Sequence, residues 1–170
     1  TAEKLAGLYH ITREEQDAFA MNSQAKMHHA MEAGRFEDQI VPVPVIVSGH
    51  ETFFCTDEHP FLSSMEKLAK LRPAFKKDGT VTAGNSSGRN DGASAVLVMS
   101  EDKMREFGYK PMAKIISVGS SGCDPTVMGL GPVESSKLAM ERAGLTLQDL
   151  DVIELNEAFA AQSIAVIKEW

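Results

Sequence analysis

The sequence has little of what several functional classes require. Its 170 residues include two cysteines, Cys55 and Cys123, too few for a disulfide framework and compatible with a reducing compartment. No apolar run approaches the roughly 20 residues that cross a bilayer, so we expect no membrane insertion. Basic residues form no cluster larger than a pair such as Lys76 and Lys77, and the net charge of -7 is spread without an acidic tail. We therefore expect no nucleic-acid partner.

The composition is otherwise that of a folded protein, with 43% apolar residues. Its clearest local signal is a capping box, Thr12 followed three residues later by Glu15. Apolar residues then recur at helical spacing until Gly34. This pattern predicts a helix over residues 12–34.

The residues after this helix carry weaker signals. Pro42 and Pro44 interrupt a β-branched run, which places that run at a sheet edge or in a loop. Residues 50–79 are irregular. Residues 1–79 are therefore interpreted as a helix-and-loop region rather than as a compact core.

Strand-like and helix-like segments alternate after Gly79. This alternation predicts an α/β layer of parallel strands, with loops at the carboxyl ends of the strands. No closing signal precedes Trp170, which indicates a fragment. The predicted strands are the end of "NDGASAVLVMS", "MAKIISVGSSG" and "LDVIEL", and the predicted helices are "EDKMREFG", "PVESSKLAMERAG" and "EAFAAQSIAVIKEW".

Three short motifs have chemical interpretations that their contexts do not support. "GNSSG", residues 84–88, matches a nucleophile elbow, but strand-like sequence follows it and no histidine lies beyond His59. Unless a partner histidine lies outside the sequence, a glycine-rich turn with unusual backbone angles is preferred. "GLGP", residues 129–132, lacks the third glycine and the leading strand of a dinucleotide site. The loop from His50 to His59 has ligand-type residues without zinc spacing, so no metal is predicted.

Asn156 and Glu157 stand where the last predicted strand passes into the last predicted helix. Asparagine is among the best N-cap residues, because its side chain accepts a backbone N–H of the first turn. Alternatively, a carboxamide at the mouth of a parallel sheet holds a water aimed at an oxygen that becomes negative during reaction. Spacing alone leaves both interpretations open.

The last predicted strand passes into the last predicted helix through "LNEAFAAQ". This string and five others resemble segments of the thiolases, the acetyl-CoA acetyltransferases and 3-ketoacyl-CoA thiolases. Together they cover essentially the whole chain. The resemblance implies part of a layered α/β/α/β/α fold, with a helix-and-loop domain that covers coenzyme A. The strings are "TREEQDAFAMNSQAKMHHAMEAGRFEDQIVPV", "DEHP", "KLAKLRPAFKKDGTVTAGNSSGRNDGASAVLVMS", "DPTVMGLGP", "AMERAGL" and "LNEAFAAQ".

The same resemblance implies a domain organisation. Residues 1–79 correspond to part of the loop domain, residues 80–108 to the end of the N-terminal half, and residues 109–170 to the start of the C-terminal half. The family's nucleophilic cysteine would precede Thr1, and its histidine and acid–base cysteine would follow Trp170. The fragment alone is therefore expected to be inactive, and neither cysteine of this sequence is assigned to catalysis.

The implied function is reversible Claisen condensation or thiolytic cleavage between acetyl-CoA and an acyl-CoA. The alternative is a non-catalytic acyl-CoA-binding or lipid-binding relative. The substrates are coenzyme A thioesters, and no cofactor is expected. A homodimer or homotetramer and a cytoplasmic location, with an organellar one left open, are also implied.

Individual roles follow from the matched strings. Asn156 resembles the asparagine that anchors a water in an oxyanion hole, where the thioester oxygen binds while the α-carbon is deprotonated. Phe61 is a departure, since many relatives carry an arginine beside the adenine at this point. The implied contacts with coenzyme A or the acyl group are Ser87, Ala83, Phe75, Met128, Ala158 and Phe159.

Overall fold

The computed structural model describes all 170 residues, and most of its regular structure is helical. It has six α-helices, one two-stranded sheet, and two 3₁₀ helices at Pro125–Leu130 and Leu147–Asp149. None of the helices combines the length and the hydropathy that a bilayer crossing needs. The elements are α1 (Ala2–Leu8), α2 (Arg13–Glu32), β1 (Val43–Val47), β2 (His50–Phe54), α3 (Met65–Ala69), α4 (Glu101–Phe107), α5 (Gly131–Ala143) and α6 (Ala160–Glu169).

Helix ends follow the signals in the sequence. The Thr12 side chain accepts from the backbone N of Glu15, whose carboxylate accepts from the backbone N of Thr12, so the predicted capping box is confirmed. Gly108 and Gly144 end α4 and α5 with φ of +68°, a conformation that costs glycine little. Gly34 has the same φ just beyond α2.

The proline-interrupted run forms the first strand of a hairpin. β1 and β2 pair antiparallel, from Val43 opposite Phe54 to Val47 opposite His50. Ser48 and Gly49 both have positive φ, as a two-residue hairpin turn requires. Both strands of a two-stranded sheet are edges, so the predicted edge position is confirmed. The prediction that residues 50–79 are irregular is wrong, since β2 and α3 lie within them.

The small apolar core joins the two ends of the chain. Leu5 and Ile11 pack with Ala165 of α6, and all three are buried. Residues from the 3₁₀ helix at Pro125–Leu130 pack against this cluster. The first 11 residues therefore contribute to a core. The prediction that residues 1–79 form a helix-and-loop region rather than a compact core is wrong for them.

The three predicted strands are not formed. Residues 93–99, 112–122 and 150–155 have no regular secondary structure, and their apolar side chains, such as Val96 and Val152, are largely exposed. A strand needs a neighbour for its N–H and C=O groups, and no segment of these 170 residues pairs with them. Residues 112–122 instead lie along α5, where the Ser117 hydroxyl donates to the Ala139 carbonyl at 2.7 Å.

The exposed surface is larger than that of a compact domain. It measures 13097 Å², and only 16 of the 170 residues are buried. A compact monomer of 18.4 kDa exposes roughly 8,200 Å². Much apolar surface on these segments is therefore available for covering by further structure.

Tyr9 links the two packed ends of the chain and gives a prediction. Its hydroxyl donates to Glu169 Oε1 at 2.5 Å, and this hydrogen bond, burial and the carboxylate's charge all raise the pKa of Tyr9. Because the pKa of Tyr9 is higher in the folded than in the unfolded protein, the phenol stabilises the fold fully below pH of about 10. This stabilisation is lost as the pH rises through the folded-state pKa. We expect Tyr9→Phe to lower the free energy of unfolding by about 0.5–1.5 kcal/mol at neutral pH.

Urea unfolding of wild type and variant between neutral and strongly alkaline pH measures this effect. The difference should disappear above the folded pKa, and Tyr109→Phe serves as the control for loss of a phenol. A phenolate titration that places the pKa of Tyr9 at or below its ordinary value would contradict the predicted shift.

Candidate functional site

The segment around Asn156 is held by the glycine-rich loop. The backbone N of Ser87 donates to the carbonyl of Ala158 at 3.0 Å, and the backbone N of Ala160 donates to the carbonyl of Asn85 at 2.9 Å. Between them, Ser86 and Phe159 form an isolated antiparallel bridge. Two parts of the sequence more than 70 residues apart therefore fix each other's backbone.

The Asn156 side chain is free of the helix that follows. α6 begins at Ala160 rather than at Glu157, and Phe159 is its N-cap residue, with no side-chain cap. Asn156 is exposed and its side chain makes no hydrogen bond within the protein. The N-cap interpretation of Asn156 is therefore wrong. Its amide remains available to a ligand or to a bound water.

Glu157 has a different role from its neighbour. Its Oε2 accepts from the Ser23 hydroxyl at 2.6 Å, which connects the segment to the middle of α2. The two residues that follow Asn156 are thus both anchored, Glu157 through its side chain and Ala158 through its backbone carbonyl. The adjacent carboxamide is left to face open space.

A cleft of about 790 Å³ lies in front of Asn156. Its lining is mainly apolar and extends along α5 and residues 145–153. This apolar part of the cleft is open because the predicted strands beside it are not formed. The end at Asn156 carries the predicted contact residues that line the cleft, together with the side chains of Glu154 and Gln162. This end is lined by Met128, Gly129, Glu154, Asn156, Ala158, Phe159 and Gln162.

The structure brings four of the seven predicted site residues together. Asn156, Met128, Ala158 and Phe159 line the same cleft. Met128 is 63% exposed, so its side chain is open to a ligand. The roles assigned to these residues stay predictions, because their proximity does not by itself identify what they bind.

The other predicted residues lie behind the Ala158 and Phe159 backbone. The Phe75 ring meets that of Phe159 edge to face, with centroids 6.0 Å apart. Ser87 uses its backbone N on Ala158, so only its exposed hydroxyl is available to a ligand. Ala83 is exposed on the same loop and does not line the cleft.

The glycines of this loop lie close to neighbouring side chains. A Cβ on Gly84 would lie 2.6 Å from the side chains of Leu68 and Leu71, and one on Gly88 would lie 2.3 Å from the His59 ring. The predicted turn is present at Ala83 and Gly84, but neither Gly84 nor Gly88 has a positive φ, so the predicted unusual backbone angles are not found. Contact of this loop with a ligand stays a prediction.

Sequence reasoning missed a buried polar pair behind the loop. Asn85 Nδ2 donates to Asp17 Oδ1 at 2.9 Å, and Asp17 Oδ2 accepts from Arg13 Nε at 2.8 Å. Asp17 and Asn85 are 1% and 3% exposed. The available signal was an asparagine between small residues in "GNSSG", but the partner on α2 has no distinguishing local pattern.

Known proteins resemble this chain over almost its whole length. The family model for the N-terminal domain of thiolase matches residues 1–102, and that for the C-terminal domain matches residues 109–170. An acetyl-CoA acetyltransferase of Syntrophomonas wolfei is 58% identical over 99% of this chain and 43% of its own length. The chain thus spans less than half the length of this relative.

Solved structures give the same result for the fold. A Bacillus anthracis acetyl-CoA acetyltransferase superposes with a TM-score of 0.91 at 48% identity, over 99% of this chain and 43% of its own. Human mitochondrial 3-ketoacyl-CoA thiolase in complex with CoA superposes with a TM-score of 0.88 at 45% identity, over 98% and 41%. The partial layered α/β fold is thereby confirmed, and the chain belongs to the thiolase family.

Proposed function

We propose that these 170 residues are part of a longer acyl-CoA acyltransferase. It catalyses the reversible condensation of acetyl-CoA with an acyl group, or the thiolytic cleavage of a 3-ketoacyl-CoA. The observation that carries this proposal is the unpaired Asn156 carboxamide at the cleft, directly before two anchored residues, Glu157 and Ala158. The names of the similar proteins support the same class of reaction.

Asn156 supplies electrostatic stabilisation in this proposal. Removal of a proton from the α-carbon of acetyl-CoA puts negative charge on the thioester oxygen. A water held by the Asn156 amide donates a hydrogen bond to that oxygen, and the donor is already in place because the backbone that follows Asn156 is fixed. The lowered barrier comes from this preorganisation.

The remaining contacts place the substrate. The Met128 side chain lies beside the acyl group at the cleft, while Ala158 and Phe159 flank the pantetheine. Phe75 supports the Phe159 ring, and the Ser87 hydroxyl and Ala83 lie toward coenzyme A. A structural relative bound to CoA supports coenzyme A as the ligand class.

The length of the relatives supports a longer protein of which these 170 residues are a part. The uncovered segments at 93–99, 112–122 and 150–155 expose the apolar surface that further strands and helices would cover. The gap between the two family matches, residues 103–108, supports a junction near residue 108. The other features implied by the resemblance also stay predictions: homo-oligomerisation, no nucleic-acid partner, no cofactor, and a cytoplasmic or organellar location.

The test is a steady-state assay of the longer protein that contains this chain. Acetoacetyl-CoA with free coenzyme A, and acetyl-CoA alone, measure the two directions. We expect thiolysis, and slower condensation, at rates that saturate with substrate. Binding of coenzyme A without turnover in either direction would instead identify a non-catalytic acyl-CoA-binding relative.

A further inference from the structure

We infer that Asp17 and Asn85 are positioning residues for Asn156, an inference that rests on the proposed function. Both side chains are almost completely buried, although one is charged. Burying a carboxylate costs free energy unless it is paired and hydrogen-bonded. Apolar side chains of similar volume would fill the same space at a lower cost in free energy. The function of Asp17 and Asn85 therefore lies in the hydrogen bonds that they make.

The Asn85 side chain is held at each of its polar atoms. Its Oδ1 accepts from the backbone N of Thr82 at 2.8 Å. Its Nδ2 donates to Asp17 Oδ1 at 2.9 Å and to the Thr80 carbonyl at 3.1 Å. These three hydrogen bonds fix the position of the Asn85 side chain and of the backbone at residue 85.

Asp17 is fixed from the opposite side. Arg13 Nε donates to Asp17 Oδ2 at 2.8 Å, and the same guanidinium donates to the carbonyls of Leu68 and Leu71. The carboxylate is therefore oriented by a group that also holds the end of α3. A charged acceptor makes a stronger bond to the Asn85 amide than a neutral one would.

The backbone carries this position to Asn156. The Asn85 carbonyl accepts from Ala160, and Ser87 donates to Ala158, two residues from Asn156. A shift of the loop at residue 85 therefore shifts the segment that delivers the carboxamide. A misplacement of about 1 Å in a catalytic group costs about 10²-fold in rate.

A charge-swap series in the longer protein tests this inference. The variants are Asp17→Asn, Asn85→Asp and the double variant. In Asn85→Asp, two carboxylates face each other. In the double variant the two groups exchange places: the new amide at position 17 donates to the new carboxylate at position 85, and its oxygen accepts from Arg13. Only the Thr80 carbonyl then loses its donor. Asp102→Asn, at an exposed aspartate of α4, is the matched control.

We expect Asn85→Asp to lower kcat by about 10- to 100-fold, because Asn156 moves. KM should rise by a smaller factor, since Ala158 and Phe159, which flank the pantetheine in the proposed function, move with the same segment. Asp17→Asn should have a smaller effect in the same direction. The double variant should recover at least part of the loss in kcat, and Asp102→Asn should match wild type. A merely structural pair would lower the thermal midpoint and leave kcat per folded enzyme unchanged.

A single variant that fails to fold is replaced by Asp17→Glu, which keeps the charge and moves it by one methylene. Folded variants with wild-type kcat, or a double variant without recovery, overturn the inference. Wild type and Asn156→Ala are assayed alongside. If wild type is inactive, both the proposed function and this inference are overturned. If wild type is active and Asn156→Ala is slow, but the variants of Asp17 and Asn85 are unaffected, the inference alone is overturned.

Discussion

Replacing Asn156 with alanine should lower kcat for both thiolysis and condensation by about 10²- to 10³-fold, the usual cost of losing one oxyanion donor. The side chain is exposed and forms no hydrogen bond within the protein, so its loss should not disturb the fold. KM for coenzyme A should change little, since the predicted pantetheine contacts lie at other residues. Steady-state kinetics of the longer protein measure both quantities.

Asn22→Ala is the matched control, because Asn22 is an exposed asparagine on α2 away from the cleft. It should retain wild-type kcat. A thermal midpoint of Asn156→Ala equal to that of wild type would show that the loss is catalytic. Wild-type kcat in Asn156→Ala would remove this residue from the reaction.

The second large effect is expected in the core. Leu5→Ala should lower the free energy of unfolding by about 2–5 kcal/mol, because it leaves a cavity among packed side chains. Leu5 is fully buried against Ile11 and Ala165. A Cβ on Gly129 would lie 2.7 Å from Leu5 Cδ1, so the leucine packs closely against this glycine.

Leu8→Ala provides the comparison on the same helix. Leu8 is 57% exposed, so this change should alter stability by less than about 0.5 kcal/mol. Urea unfolding of the two variants and wild type measures the difference. Equal stabilities of Leu5→Ala and Leu8→Ala would show that α1 does not pack against α6 as described.

The helices could be predicted because their signals are local. The Thr12 capping box and the glycines after α4 and α5 act on adjacent turns, so they need no knowledge of the rest of the chain. The strands could not be predicted in the same way. An apolar run such as residues 150–155 becomes a strand only when another segment pairs with it, and none of the described residues does.

The site shows the same division between local and distant effects. Resemblance pointed to Asn156, but local spacing could not decide between an N-cap and a free amide, because the start of α6 is displaced to Ala160. The displacement follows from the backbone pairing of residues 158–160 with the loop at residues 85–87. Asp17 was missed because its partner, Asn85, lies 68 residues away in the sequence.

The most direct test is a crystal structure of the longer protein with acetyl-CoA bound. We predict that the thioester oxygen lies within hydrogen-bonding distance of a water that is itself bound by the Asn156 amide, with the acyl group beside Met128. A thioester bound elsewhere, or an Asn156 side chain turned into its own backbone with no water between it and the oxygen, would contradict the proposed role of this residue.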